Sequence, residues 1–122
     1  MKKILLLVLS IFLITGCGNK ENIEKEEQQN IINNSKVNKL DIIDFITTYE
    51  EGISSIYYTV ENNTEESINY NYVICNMYDE NNNLIYTVKS DLGNLNPTES
   101  KDINENITMD LSQVTSVKYN VE

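Results

Sequence analysis

The order of apolar and polar positions divides the chain into three stretches. Residues 4–14 are apolar except for Ser10 and follow two lysines. Residues 18–38 are polar, and from Leu40 onward apolar residues tend to alternate with polar ones up to the end of the chain. An apolar run of about eleven residues is too short to cross a bilayer as a helix. The pattern therefore predicts an export signal, a spacer and a folded β domain.

The residues that close the apolar run form a short motif with a defined chemistry. Ile14-Thr15-Gly16-Cys17 resembles the bacterial lipobox, in which an apolar residue and two small residues precede a cysteine. The resemblance implies a thioether link between the Cys17 thiol and a diacylglyceryl group. It also implies that a signal peptidase recognises Ile14, Thr15 and Gly16 and cleaves before Cys17. The alternative is an ordinary secretory signal followed by a chance cysteine.

A lipid on Cys17 fixes the expected location of the protein. Two acyl chains hold a protein stably on a membrane, whereas one chain binds only marginally. We therefore expect a lipoprotein signal peptide at residues 1–16 and a protein anchored on the outer face of the bacterial cytoplasmic membrane. The only cofactor-like group expected is this covalent diacylglycerol lipid.

The polar stretch after Cys17 predicts a flexible tether over residues 17–38. Its few apolar residues, Ile23, Ile31, Ile32 and Val37, do not form a helical stripe. A short helix over residues 21–29 is the alternative, but it would have no surface to pack against. The folded domain is therefore expected to span residues 39–122.

Within that domain, period-two alternation and turn residues predict six or seven short strands, and such regular spacing indicates an antiparallel β-sandwich. For residues 40–48 a strand is preferred, with a short helix as the alternative because Ile42, Phe45, Ile46 and Tyr49 also fit a helical turn. On the longest strand, Val73, Cys75 and Met77 share one face. The expected strands are 40–48, 56–60, 69–79, 84–92, 101–109 and 117–121, separated by turns rich in Asn, Asp, Gly or Pro.

Several segments of this domain are similar to the FxLYM domain. They are Val60-Glu61-Asn62-Asn63-Thr64, residues 73–79, Leu95-Asn96-Pro97 and the closing alternation. The family's name motif falls on residues 75–79, where Tyr78 matches, Met77 stands for Leu and Cys75 stands for Phe. Thr98 occupies a position where Gly is common. The resemblance implies an immunoglobulin-like β-sandwich of exported and membrane-attached bacterial proteins, and it transfers no functional residue.

Composition narrows the function classes further. The formal charge is -10, which becomes -12 once Lys2 and Lys3 are removed with the signal peptide, and the chain has no Arg, His or Trp. An acidic chain without Arg is a poor nucleic-acid binder. The lack of His removes the commonest general base and metal ligand. Cys75 has no expected partner if Cys17 is lipidated, which suits a Gram-positive exported protein, and we expect it to be a small buried hydrophobic residue.

Acidic side chains offer two weak alternatives to a non-enzymatic, metal-free domain. Asp79, Asn81 and Asn83 match the first half of a calcium loop, but Leu84 and Ser90 stand where the loop needs Gly and a bidentate Glu. Paired carboxylates such as those of Asp79, Glu80 and Asp91 are used by glycosidases. Here they lie in predicted turns, so we predict a solvated hairpin loop and no catalytic or metal site.

Eight tyrosines in a small domain are the best indication of function. Exposed Tyr57, Tyr70 and Tyr72 would form a candidate binding surface; the alternative is that tyrosine simply suits half-buried strands. We therefore expect a membrane-anchored extracellular lipoprotein whose small Ig-like module binds an envelope protein or a glycan. The alternative is a structural or accessory subunit of a cell-envelope complex.

Overall fold

A computed structural model describes residues 28–122, which fold as an all-β sandwich of two antiparallel sheets. The fold class expected from the sequence is confirmed, and residues 40–48 lie in a strand. In this part of the chain there is no helix long and apolar enough to cross a membrane. The strands are β1 Gln28–Ile32, β2 Ser35–Val37, β3 Leu40–Glu50, β4 Ile53–Asn62, β5 Ile68–Tyr78, β6 Leu84–Leu95, β7 Ser100–Ile107 and β8 Ser116–Val121.

The chain builds the two sheets by crossing between them. Sheet A has the order β1-β3-β4-β7, and β2 pairs with β3 on the same edge as β1. Sheet B has the order β6-β5-β8. The connections β4–β5, β6–β7 and β7–β8 each pass from one sheet to the other. Every pairing is antiparallel, so each strand presents one face to the core and one to solvent.

The expected tether boundary at residue 38 is wrong, because β1 and β2 belong to the folded domain. β1 pairs with the second half of β3 and β2 with the first half. Ile32 and Val37 are buried in the core. Asn30 faces the loop before β8 and donates its Nδ2 to the carbonyls of Ser112 and Val114, at 2.7 and 2.9 Å. Tertiary contacts therefore make strands of a polar stretch, while residues 1–27, including the signal peptide and the start of the expected tether, lie outside the described residues.

The core lies between the sheets and follows the predicted alternation. Val73, Cys75 and Met77 are fully buried on β5, as expected. Leu111 and Val114 are buried as well, although they lie in the loop between β7 and β8. The remaining fully buried side chains come mainly from β3 and β4, and they include Leu40, Ile42, Phe45, Ile56 and Val60.

A β-bulge at Asp44 sets the alternation of β3. Two residues, Asp44 and Phe45, lie where β4 has only Tyr58, and Asp44 has φ 57°. Its backbone N–H donates to Asn34 Oδ1 at 3.1 Å. The extra residue keeps apolar side chains facing inward on both sides of the bulge, from Ile42 to Phe45.

Thr98 is strained in the turn after Pro97. It has φ 68°, in the left-handed region that disfavours a β-branched residue. Its backbone N–H donates to the carbonyl of Asn62 at 2.8 Å, which ties this turn to the end of β4. A glycine would adopt this conformation without that steric cost.

Candidate functional site

The three tyrosines expected to form a binding surface lie in three different places. Tyr57 is on the outer face of sheet A and is 48% exposed. Tyr72 is half-buried on the outer face of sheet B. Tyr70 is half-buried at the end of the sandwich where β5 begins. The three side chains therefore do not form one common surface, and each place has to be considered separately.

On the outer face of sheet B, lysine side chains cover the aromatic rings. Lys89 Nζ lies 4.3 Å from the centroid of the Tyr72 ring and 3.0 Å from a carboxylate oxygen of Glu122. The hydrogen bond that the Lys89 ammonium donates to Glu122 raises the pKa of Lys89 above its ordinary value. Lys118 Nζ lies 5.2 Å from the centroid of the Tyr78 ring. These cation–π contacts use the ring faces that an aromatic binding surface would offer to a ligand.

Tyr70 lines a cleft between the β2–β3 turn and the β4–β5 loop, which we call the loop cleft. The cleft has a volume of about 670 Å³. Asn38 Nδ2 donates to the Tyr70 hydroxyl at 2.9 Å, so the two walls are joined at that point. The lining combines one cation, one carboxylate, amides, a hydroxyl and an aromatic ring: Asn38, Lys39, Glu66, Ser67, Ile68, Asn69 and Tyr70.

The β4–β5 loop that forms one wall of this cleft is held by a single buried amide. Asn62 is fully buried and donates its Nδ2 to the carbonyls of Glu66 and Leu95, at 2.8 and 2.9 Å. Its Oδ1 accepts from the backbone N–H of Thr64 at 3.0 Å and from the Thr64 hydroxyl at 2.7 Å. All four hydrogen-bonding positions of the amide group are thereby used to fix the loop. The cleft wall is consequently preformed, as small-ligand sites usually are.

The loop cleft lies at the end of the sandwich opposite to Gln28. Gln28 pairs with Tyr49 near the end of β3, whereas Asn38 and Lys39 directly precede the start of β3. The N-terminal segment that carries Cys17 thus joins the domain at one end, and the cleft opens at the other.

Inside the sandwich, the side chains of Tyr58 and Tyr119 lie near the Cys75 thiol. The Tyr58 ring stacks on Phe45 with centroids 5.2 Å apart, and the Tyr119 ring meets Phe45 edge-on at 6.0 Å. The hydroxyls of Tyr58 and Tyr119 are buried without a hydrogen-bond partner among the described residues. Burial raises the pKa of both tyrosines far above the ordinary value and raises the pKa of the Cys75 thiol to about 12. Cys75 is thus a neutral, buried thiol, and sequence reasoning missed the aromatic cluster around it.

The β5–β6 loop uses its acidic group for its own backbone. Asp79 Oδ1 accepts from the N–H groups of Asn81 and Asn83, each at 2.9 Å. Hydrogen bonds, chiefly from the Asn83 backbone, lower the pKa of Asp79. Glu80 is exposed in the same loop, and Asp91 is exposed on β6. Across residues 28–122, no group of three or more His, Cys, Asp or Glu side chains is placed to hold a metal ion.

Cys17, expected to carry the lipid, lies outside the described part of the chain, as do the expected signal-peptidase recognition residues Ile14, Thr15 and Gly16. Their assignment therefore stays a prediction from the sequence.

Comparison with known proteins gives a likeness in structure but not in sequence family. No family model matches the chain, and no curated protein matches it. The solved structures include the crystal structure of a DUF1425 family member from Shewanella sp. pv-4, to which the chain is similar with 13% sequence identity and a TM-score of 0.48. The match covers 68% of this chain and 76% of that chain. No function is carried over from this likeness.

Proposed function

We propose that the protein is a membrane-anchored extracellular lipoprotein that presents its β-sandwich as a binding module and has no enzymatic activity. The observation that carries the anchor is the sequence Ile14-Thr15-Gly16-Cys17 behind two lysines and an apolar run. Lipid attached at Cys17 holds the chain on the outer face of the membrane. The folded domain begins at or before Gln28, so it follows the anchor closely.

The loop cleft is the proposed binding site of this module. It is a cleft of about 670 Å³, and its wall is fixed by Asn62. A lining of amides and hydroxyls, with Lys39 balanced by Glu66, suits a neutral ligand that forms many hydrogen bonds. The Tyr70 ring adds an apolar surface of the kind that packs against a sugar ring. We therefore propose a glycan of the cell envelope as the ligand.

Metabolic labelling with a radioactive fatty acid tests the anchor. The wild-type chain is expected to incorporate label and to fractionate with membranes. Cys17→Ser is expected to lose the label, because the only proposed acceptor thiol is gone. Cys75→Ala is the matched control, since it removes the other cysteine of the chain and is expected to keep the label. A Cys17→Ser protein that remains labelled and membrane-bound would contradict the proposed anchor.

Titration with cell-wall oligosaccharides tests the cleft. The sample is the lipidated full chain in a nonionic detergent, and binding is followed by the amide chemical shifts in NMR spectra. Shifts are expected at Asn38, Lys39 and Tyr70, and Tyr70→Ala is expected to abolish them. Tyr72→Ala is the matched control because its ring lies under Lys89 on a different face. Shifts confined to other surfaces would rule out the loop cleft as the glycan site.

One observation favours the alternative role of accessory subunit in an envelope complex. Three apolar side chains form a row across the outer face of sheet A, where Ile31 is 72% exposed, Tyr57 is 48% exposed and Ile46 lies between them. Exposed apolar rows of this kind commonly mark protein–protein contacts.

A further inference from the structure

We propose that the outer face of sheet A docks a basic, partly apolar segment of a partner protein, with a lysine or arginine side chain placed beside Tyr57. The proposal rests on the interaction role given above and assigns a second surface to it. The loop cleft at the end of the sandwich is a separate site.

The apolar part of this face is continuous across three strands. Ile31 on β1 is opposite Ile46 on β3, and Ile46 is opposite Tyr57 on β4. Ile43, half-buried, lies on the same face of β3 on the other side of the bulge. Tyr57 therefore has apolar neighbours on one side and stands near the middle of the sheet. A central, half-exposed tyrosine with apolar neighbours is the usual composition of a binding hot spot.

The other side of Tyr57 is polar and acidic. A depression of about 340 Å³ is lined there by the side chains of Asp44, Tyr57, Thr59, Asp102 and Asn104. The bulge carries Asp44 to one side of it, and Asp102 lies on β7 opposite Thr59. The Thr59 hydroxyl donates to Asp102 Oδ1 at 2.8 Å, which fixes that carboxylate. Neither Asp44 nor Asp102 forms an ion pair with another described residue.

Two carboxylates beside an aromatic ring, one of them held by Thr59, form a receptor for a cation. An ammonium or guanidinium group placed over the Tyr57 ring gains a cation–π contact and remains within reach of both carboxylates. Its aliphatic stem can then lie along the row from Ile46 to Ile31, as the stems of long basic side chains do on apolar surfaces.

The outer face of sheet A carries more unbalanced negative charge than the outer face of sheet B. On sheet A, Asp41, Asp44, Glu50, Glu61 and Asp102 face outward with Lys36, which is paired with Asp41 at 2.6 Å. On sheet B, Lys89 and Lys118 cover the tyrosine rings and balance the charges of Asp91 and Glu122. The outer face of sheet A is thus the one that combines exposed apolar groups with unbalanced negative charge.

This charge also decides which occupant fits the face. Residues 28–122 contain five lysines against fifteen Asp and Glu, a formal charge of -10. A second copy would bring the same acidic face against itself, which electrostatic repulsion opposes. A partner segment with basic and apolar residues complements both halves of the surface.

Fluorescence anisotropy of a labelled octapeptide of alternating lysine and leucine tests the proposal, with the full chain and its Cys17→Ser form measured side by side in a nonionic detergent. The peptide is expected to bind, and binding is expected to weaken as salt is added. The double variant Asp44→Asn, Asp102→Asn is expected to weaken binding about tenfold, as is Tyr57→Ala. Asp91→Asn and Tyr72→Ala, the matched changes on sheet B, are expected to leave the affinity within about twofold.

Three results would overturn the proposal. The first is equal binding of a glutamate–leucine octapeptide. The second is a loss of about threefold in Asp91→Asn, half of the free energy lost in the double variant, because one removed charge against two would then indicate attraction by total charge alone. The third is a several-fold gain in affinity when Lys20 and Lys25 are changed to Gln, which would show that the chain's own N-terminal segment occupies the face. None of these measurements depends on lipid at Cys17 or on glycan in the loop cleft, so a failure here is distinguishable from a failure of the proposed function.

Discussion

Asn62→Ala removes four hydrogen bonds from the buried end of β4. Each such bond contributes about 1 kcal/mol net to the free energy of unfolding. The Thr64 hydroxyl retains its contact with the carbonyl of Glu66 at 3.1 Å, which offsets part of the loss. We therefore expect the variant to be less stable by about 3 kcal/mol. A domain of this size has roughly 5–14 kcal/mol in total, so the change is large.

Urea unfolding of the full chain, followed by circular dichroism, measures this loss. The slope of the free energy against urea is expected to stay constant while the midpoint falls. A thermal midpoint lower by about 12–24 °C is the corresponding result on heating. Asn63→Ala is the matched control: its side chain is exposed and bonds only the carboxylates of Asp41 and Glu61, so a loss of about 0.5 kcal/mol or less is expected.

Asn62→Asp separates the two halves of the amide. The acceptor side is kept, but a carboxylate oxygen then faces the carbonyls of Glu66 and Leu95 without a proton to donate. Burial beside carbonyls raises the pKa of the new carboxyl group in the folded state, so the variant should regain stability as the pH falls and the group becomes protonated. If Asn62→Ala costs less than about 1 kcal/mol, the four bonds do not hold this end of the domain and the reasoning is refuted.

Other regions of the structure support four further expectations. Thr98→Gly should raise the free energy of unfolding by about 1 kcal/mol in urea titrations, because glycine relieves the left-handed strain at φ 68°; a destabilised variant would contradict this. Tyr58→Phe should be neutral or stabilising by the same assay, because it removes a buried hydroxyl without a partner; a loss above about 1 kcal/mol would show that the hydroxyl is bonded. The thiol of Cys75, with a pKa of about 12 caused by burial, should react with a thiol reagent at pH 8 only after urea unfolding; rapid labelling of folded Cys17→Ser protein would disprove this. The lowered pKa of Asp79 gives a stability contribution that is present above the unfolded pKa near 4 and lost as the pH falls through the lower folded pKa. In acid titrations Asp79→Asn should therefore lose less stability below about pH 4 than the wild type, and an unchanged acid limb would contradict the loop hydrogen bonds.

The alternation of side chains predicted the sandwich because it reports which face of each strand is buried. It succeeded for Val73, Cys75 and Met77 on β5. It failed for β1, where an amide, Asn30, faces inward together with Ile32 and where Ile31 faces outward, so apolar and polar residues do not alternate. That strand exists because β3 pairs with it and because Asn30 bonds the loop before β8. Contacts so distant in sequence leave no local periodicity to detect.

The same limit explains why the site was only partly predicted. Alternation placed Tyr57 and Tyr72 on outward faces, but it carries no information about which sheet each strand joins. Whether an outward ring is free depends on lysines from neighbouring strands, such as Lys89 over Tyr72. Tyr70 lines a cleft that is formed by two loops far apart in sequence. Asn62 was assigned to a turn, and its four bonds follow from burial that the sequence pattern does not reveal.

The early start of β1 limits how far the domain can stand from the membrane. With lipid on Cys17, the ten residues 18–27 reach at most about 36 Å even if fully extended, whereas the expected tether of residues 18–38 would have reached about 75 Å. The eleven residues of β3 add about 37 Å along the sandwich to the end where the loop cleft opens. If the protein is anchored as proposed, the cleft therefore lies no higher than about 75 Å above the bilayer. If the strands of the sandwich run perpendicular to the membrane, the outer faces of both sheets are parallel to the membrane normal. The face around Tyr57 is then accessible to molecules at the same distance from the bilayer, such as the external parts of neighbouring membrane proteins.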